Sequence, residues 1–114
     1  MELSDETTTL SVLKSRIRDF NSVRNWEQYH TPKEVALSVS IEAAELIEIF
    51  QWRSLSTSDV RRDEELKRRI SEEISDIMIY LIGMSNTLDI DLSSAILAKL
   101  EQNAIKYPIR SQKS

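Results

Sequence analysis

Residues 31–52 read TPKEVALSVSIEAAELIEIFQW, and this stretch decides the fold. Thr31 offers a hydroxyl as an N-cap, and Pro32 takes the first helical position, where its missing N–H is not needed. Glu34 stands three residues after the cap. From there apolar residues recur at helical steps to about Trp52, with no strand alternation. The same period extends to both sides. Leu10, Leu13, Ile17 and Phe20 predict a first helix from near Thr9 to near Val23, and residues 24–30 connect it to the second. Residues 54–59 form a polar break, and a third helix runs from about there to Leu88. Asp89-Ile90-Asp91 is a turn, with Asp91 capping a fourth helix that ends before Pro108. The expectation is an all-α, four-helix, bundle-like single domain over residues 1–114, with flexible ends at 1–8 and 111–114.

Composition agrees and excludes much chemistry. The 114 residues include one Gly (Gly83), two Pro, no Cys and one His, so few turns are obligatory and long helices follow. One glycine cannot build a P-loop or a GxGxxG turn. Without cysteine there is no disulfide scaffold, thiolate zinc site, iron–sulfur cluster or thiol nucleophile. A metal bound through side chains must then rely on carboxylates, which suits Mg²⁺ or Mn²⁺. Nineteen acidic against fifteen basic residues give a net charge of -4, which disfavours nucleic acid and anionic membranes as partners. The run Lys67-Arg68-Arg69, with Arg61-Arg62 before it, is interrupted by acids and reads as a solvated helix face. The N-terminal residues lack a secretory signal, and no apolar run approaches the ~20 residues of a membrane span. The expected location is cytoplasmic.

The second and third helices each carry a carboxylate pair beside their apolar arc. With Glu42 at the origin of a helical projection, Val35, Leu46, Val39, Phe50, Ala43, Ala36 and Ile47 fill an arc beginning next to it. Glu45 lies one step further out, while Leu37, Ile41 and Ala44 form a second apolar patch. On the third helix the arc beside Glu73 contains Leu66, Met84, Ile77, Ile70, Leu88, Leu81, Ile74 and Met78, with Asp76 one step outside. Antiparallel packing would bring Glu42, Glu45, Glu73 and Asp76 together. Such a cluster needs a cation to neutralise it, and hard divalent ions take carboxylate oxygens while keeping positions for phosphate and water. Spacing alone leaves a metal platform and a solvated acidic face both open. Glu27-x-x-His30 has ferritin-like spacing, but it occurs once and the Thr31 cap interrupts the helical register. His30 then reads as a loop residue bonded to nearby backbone.

Glu42-x-x-Glu45, a spacer, and Glu73-x-x-Asp76 on the next helix resemble the all-α MazG-like nucleoside triphosphate pyrophosphohydrolases. The resemblance covers about Thr9 to Pro108. It is greatest to the dCTP pyrophosphatase subgroup, through residues 24–30 (RNWEQYH), residues 48–52 (EIFQW), Tyr80-Leu81, Asp91-Leu92, Lys99, Asn103, Lys106, Tyr107 and Pro108. It implies hydrolysis of a (d)NTP, such as dCTP, to the monophosphate and pyrophosphate with Mg²⁺, in nucleotide-pool cleansing. It makes Glu42, Glu45, Glu73 and Asp76 the metal ligands and catalytic residues. Trp26, Trp52 and Tyr80 would surround the base, and Lys99, Asn103 and Tyr107 would meet the rest of the substrate. Tyr80 lies i,i+4 from Asp76, and Trp52 falls on the Glu45 side of its helix, in keeping with those roles. The subgroup carries a histidine nine residues before the tryptophan. This chain has Ile17 there, which removes a polar contact and leaves the base open.

The two apolar sides of the second helix exceed what a small bundle covers, so a subunit interface is expected. The resemblance implies a homotetramer built as a dimer of dimers, with sites shared between chains. Two other readings compete with catalysis: a helical oligomerisation module with a solvated acidic face, and a nucleotide sensor without turnover. Placement of both carboxylate pairs beside apolar arcs, rather than opposite them, counts against the first of these.

Overall fold

A computed structural model of the chain describes residues 2–110 as five helices and no strand. They are α1 (Leu10–Val23), α2 (Pro32–Ile49), α3 (Thr57–Arg62), α4 (Glu64–Thr87) and α5 (Leu92–Lys106). Each begins at a side-chain cap. The hydroxyls of Thr9 and Thr31 accept from the N–H groups of Val12 and Glu34, and the Asp91 carboxylate accepts from Ser94. Ser56 and Asp59 form a reciprocal capping box on α3.

The expected third helix is two. The chain breaks at Asp63 (φ -104°, ψ 98°), whose N–H donates to Val60 O while its carboxylate caps Leu66 N at 3.0 Å. A short acidic side chain stabilises a helix start more than a helix interior, and no apolar residue between Val60 and Leu66 holds the two segments in one helix. α2 also ends earlier than the apolar pattern suggests, at Ile49 with Phe50 as C-cap. Trp52 then adopts φ 71°, a left-handed conformation that takes the chain off the helix axis.

α1 and α4 end alike. The N–H groups of Asn25 and Trp26 bond to Ser22 O and Asn21 O, and those of Asp89 and Ile90 bond to Asn86 O and Ser85 O. Both are Schellman closures, with Asn25 (φ 56°) and Asp89 (φ 55°) in the left-handed position that short polar side chains tolerate. α1 is fastened to the end of α4 by Lys14 Nζ donating to Ile90 O (2.7 Å), Arg18 Nη2 to Asn86 Oδ1 (3.1 Å) and Asn86 Nδ2 to Lys14 O (2.9 Å).

α2 and α4 make the most extensive helix pair, with α1 and α3 also on α4. Val35, Ile49, Leu66 and Ile82 are buried, and no described side chain is wholly enclosed. Large apolar side chains remain outside: Leu37 and Ile41 on α2, Ile74 and Met78 on α4, and Ile96, Leu97, Leu100 and Ile105 on α5. α5 makes no extended contact with the other helices. The radius of gyration is accordingly 17.5 Å, against about 13 Å for a compact chain of this length.

Residues 4–7 form an exposed turn in which Ser4 N donates to Thr7 Oγ1 at 2.9 Å. The flexibility expected of residues 111–114 falls outside the described residues. No described helix is long and apolar enough to cross a membrane.

Candidate active site

α2 and α4 run antiparallel. Val35 and Glu42 of α2 share one cavity with Asp76, Tyr80 and Gly83 of α4, whereas Glu45 and Ile49 share a groove with Glu73 and Arg69. This pairing sets Glu42 against Glu73 and Asp76, with one carboxylate oxygen from each lying within 4.8 Å of the others. Oε2 of Glu42 and Oε2 of Glu73 are buried without a hydrogen-bond partner among the described residues. Glu45, one turn further along α2, flanks this group of three.

Burial raises the Glu42 carboxyl from its ordinary 4.5 to about 7, with the adjoining Glu45, Asp76 and Glu73 carboxyls adding to the rise. Glu73 is also raised. Burial acts first, Glu42 opposes the rise, and Glu45 and Asp76 reinforce it. Two buried, unpaired carboxylate oxygens beside further acids are costly as they stand. A hard divalent cation satisfies all of them at once, so the donor set fits one.

Beside the carboxylates lies a cavity of about 260 Å³, walled by α1, residues 24–30, α2 and α4. Its wall is a run of aromatic rings. Phe20 to Trp26 is 5.6 Å between centroids, Trp26 to His30 is 5.9 Å, and His30 to Tyr80 is 6.0 Å. The Schellman closure of α1 causes this. It turns the chain back at Asn25 and lays Trp26 edge-on against Phe20, one turn up the helix. The Arg24 guanidinium covers the Phe20 ring at 3.5 Å.

The structure therefore brings together Glu42, Glu73 and Asp76, with Glu45 adjacent, and places Trp26 and Tyr80 in the same cavity as Glu42 and Asp76. Trp52 is elsewhere. Because α2 ends at Ile49, the helical register that put Trp52 on the Glu45 side does not reach it, and Trp52 is 91% exposed. Lys99, Asn103 and Tyr107 sit on or just after α5, away from the cavity walls of their own chain.

Among the cavity residues not singled out as substrate contacts from the sequence are Phe20, Asn21, Glu27 and His30. The main-chain N–H of His30 donates to Trp26 O and Glu27 O, and its ring stands between Trp26 and Tyr80 in the wall. The one available signal was position. A residue immediately before a capped helix must lie near the first turn of that helix, where Val35 closes the cavity.

The sequence profile of the MazG-like family matches residues 37–114. The chain is 32% identical over 107 residues to dCTP pyrophosphatase 1 of Homo sapiens, covering 93% of this chain and 63% of that one. It is 32% identical over 102 residues to dCTP pyrophosphatase 1 of Rattus norvegicus, covering 89% and 60%. The chain thus spans about three fifths of the length of these relatives. In structure it is similar to a pyrophosphatase from Archaeoglobus fulgidus, with TM-score 0.80 and 38% identity over 95% of this chain and all of that one.

Proposed function

The chain belongs to the MazG-like family, and we propose that it is a divalent-metal-dependent nucleoside triphosphate pyrophosphohydrolase. The observation that carries this reading is the pair of unpartnered buried oxygens on Glu42 and Glu73, facing Asp76 at the edge of an aromatic cavity. An acidic cluster suits the phosphate end of a nucleotide only through a cation, and a cavity with aromatic walls suits the base end. The adjoining parts suit one nucleotide.

In this reading Glu42, Glu73 and Asp76 hold the metal, with Glu45 beside them. Mg²⁺, with Mn²⁺ as substitute, would supply neutralisation of the phosphate charge and polarisation of the attacked phosphorus. Trp26 and Tyr80 flank the base, and the rigid α2–α4 pair holds the triphosphate in register with them. Water attacks the α-phosphorus, the α–β anhydride breaks, and a carboxylate of this group takes the proton from the water. The products are a nucleoside monophosphate and pyrophosphate. The substrates proposed are deoxynucleoside triphosphates, dCTP or related ones, in cytoplasmic pool cleansing. The curated relatives named for dCTP support that choice.

We also propose a homo-oligomer, as a dimer of dimers. The apolar residues left outside on α2, α4 and α5 support it, since a stable monomer rarely exposes so much. A neighbouring copy would place its Lys99, Asn103 and Tyr107 near the phosphates. Nucleic acid is not a proposed partner, because the net charge of -4 opposes it.

The test is pyrophosphate release from a panel of dNTPs with Mg²⁺ or with EDTA. Release with Mg²⁺ that EDTA abolishes is expected. Release indifferent to EDTA contradicts the metal-dependent reading, and Mg²⁺-dependent binding without release points to a sensor.

A further inference from the structure

We infer that Asn21 reads the polar edge of the base, and that Gly83 is glycine so that the base can reach it. This deepens the nucleotide reading of the cavity and rests on it.

Gly83 is the only glycine in the chain, and it lies within α4. Its φ is not positive, so no backbone conformation demands glycine there. Relative to alanine, an interior glycine weakens a helix. Nor does the protein itself need the space. A Cβ at position 83 would lie 3.6 Å from Asn21 Nδ2 and 3.7 Å from Ile17 Cγ2, which is ordinary contact. A methyl group would project from the cavity wall, which contains Gly83, toward Asn21 and Ile17. The missing Cβ keeps that end of the cavity open.

Asn21 stands across that opening. Its carbonyl oxygen accepts from Trp26 N, but its side-chain amide has no hydrogen-bond partner among the described residues. Asparagine is a weak helix former, and no bond of its amide within the described residues accounts for its place inside α1. Two locally unfavourable choices therefore meet at one end of one cavity, and a bound polar edge accounts for both.

The spacing fits a nucleotide. Gly83 is seven residues from Asp76, about 10 Å along α4 at the helical rise, with Tyr80 between them. An α-phosphate near the carboxylates and a base beside Tyr80 would then turn the base edge toward Asn21. The polar groups of the cavity wall are rich in acceptors. The Glu27 carboxylate only accepts, the Thr87 hydroxyl already donates to Met84 O, and Asn21 adds Oδ1. The inferred substrate class is a base with an exocyclic amine next to a ring nitrogen, as in cytosine or adenine. Asn21 Oδ1 accepts from the amine and Nδ2 donates to the ring nitrogen.

The experiment compares kcat/KM for pairs of nucleotides that differ by that amine: dCTP with the deoxynucleoside triphosphate of pyrimidin-2-one, and dATP with that of unsubstituted purine. In the wild type, the amine is expected to improve kcat/KM roughly tenfold or more in the better pair. In Asn21→Ala the difference should collapse to about twofold or less, the scale on which a lost hydrogen bond disappears. Gly83→Ala should raise KM for the preferred nucleotide while raising the Tm, a combination that a purely structural glycine would not produce. Equal use of both members of each pair by the wild type, or a preference that survives in Asn21→Ala, overturns the role of Asn21 and leaves the pyrophosphohydrolase reading standing. An unchanged KM in Gly83→Ala overturns the role of Gly83. Failure of the wild type to release pyrophosphate from any of the four nucleotides removes the reading and this inference together.

Discussion

Glu42 on α2 and Glu73 on α4 each bury one carboxylate oxygen that has no hydrogen-bond partner among the described residues, and they do so on facing helices. Taken alone, this is a destabilising arrangement of like groups in the most extensive helix contact of the protein. With a divalent cation it becomes a cross-link between the same two helices. Stability and function then depend on the same two oxygens.

Metal ions should therefore stabilise the fold. Mg²⁺ or Mn²⁺ at about 100 times its Kd is expected to add about 2.7 kcal/mol, read as a rise in Tm that EDTA reverses. Glu73→Gln should remove most of the rise. A Tm indifferent to both ions would contradict the ligand set.

The pH dependence of the metal-free protein has a defined sign. Folding raises Glu42 from 4.5 to about 7, so the native state binds this proton more tightly than the unfolded chain does. The stability that follows is complete below about 4.5 and is lost as pH rises through about 7. Glu42→Gln, which stays neutral, should flatten this fall in EDTA-treated protein. Denaturation midpoints between pH 5 and 8 give the comparison, and an identical slope in the variant would refute it.

Trp26 forms the centre of the aromatic wall, 5.6 Å from Phe20 and 5.9 Å from His30. Stacking binds substrate and transition state alike, so Trp26→Ala should raise KM more than it lowers kcat. Base stacking of ~1–3 kcal/mol corresponds to a rise of roughly 5- to 150-fold. A large fall in kcat at unchanged KM would argue against stacking.

α5 exposes Leu97 and Leu100 at 63% and 58%, one turn apart, and makes no extended contact with the other described helices. Replacing both with Asp should convert the oligomer to smaller species in sedimentation velocity. A wild type that sediments as a monomer would remove the proposed interface.

The helices were legible in the sequence wherever a cap and a period coincided, as at Thr31 and Asp91. They were not legible where the period ran past a stop. Residues 60–66 contain neither Pro nor Gly, so Asp63 alone marks the break that its carboxylate makes. Phe50 and Trp52 likewise continue the α2 pattern after the backbone has left it. The carboxylate pairs could be read because each borders an apolar arc, although only part of each arc is buried: Ile47, Ile74, Met78, Leu81 and Leu88 stay exposed, while Ile49 and Ile82 join the core. The cavity wall could not. Trp26 and His30 are positioned by a left-handed turn at Asn25, and periodicity carries no information about the residues that follow such a turn. Lys99, Asn103 and Tyr107 are a different case, because α5 makes no extended contact with the other described helices of its own chain.

The most direct measurement is ³¹P NMR of the products formed from dCTP and Mg²⁺ by the wild type and by Glu73→Gln. The expected result is dCMP and pyrophosphate with no dCDP, and a rate at least about 100-fold lower in the variant, the scale of losing a charge-stabilising group from an active site. Formation of dCDP and phosphate, or equal rates in the two proteins, would contradict the central claim that the carboxylates of α2 and α4 direct cleavage at the α–β anhydride.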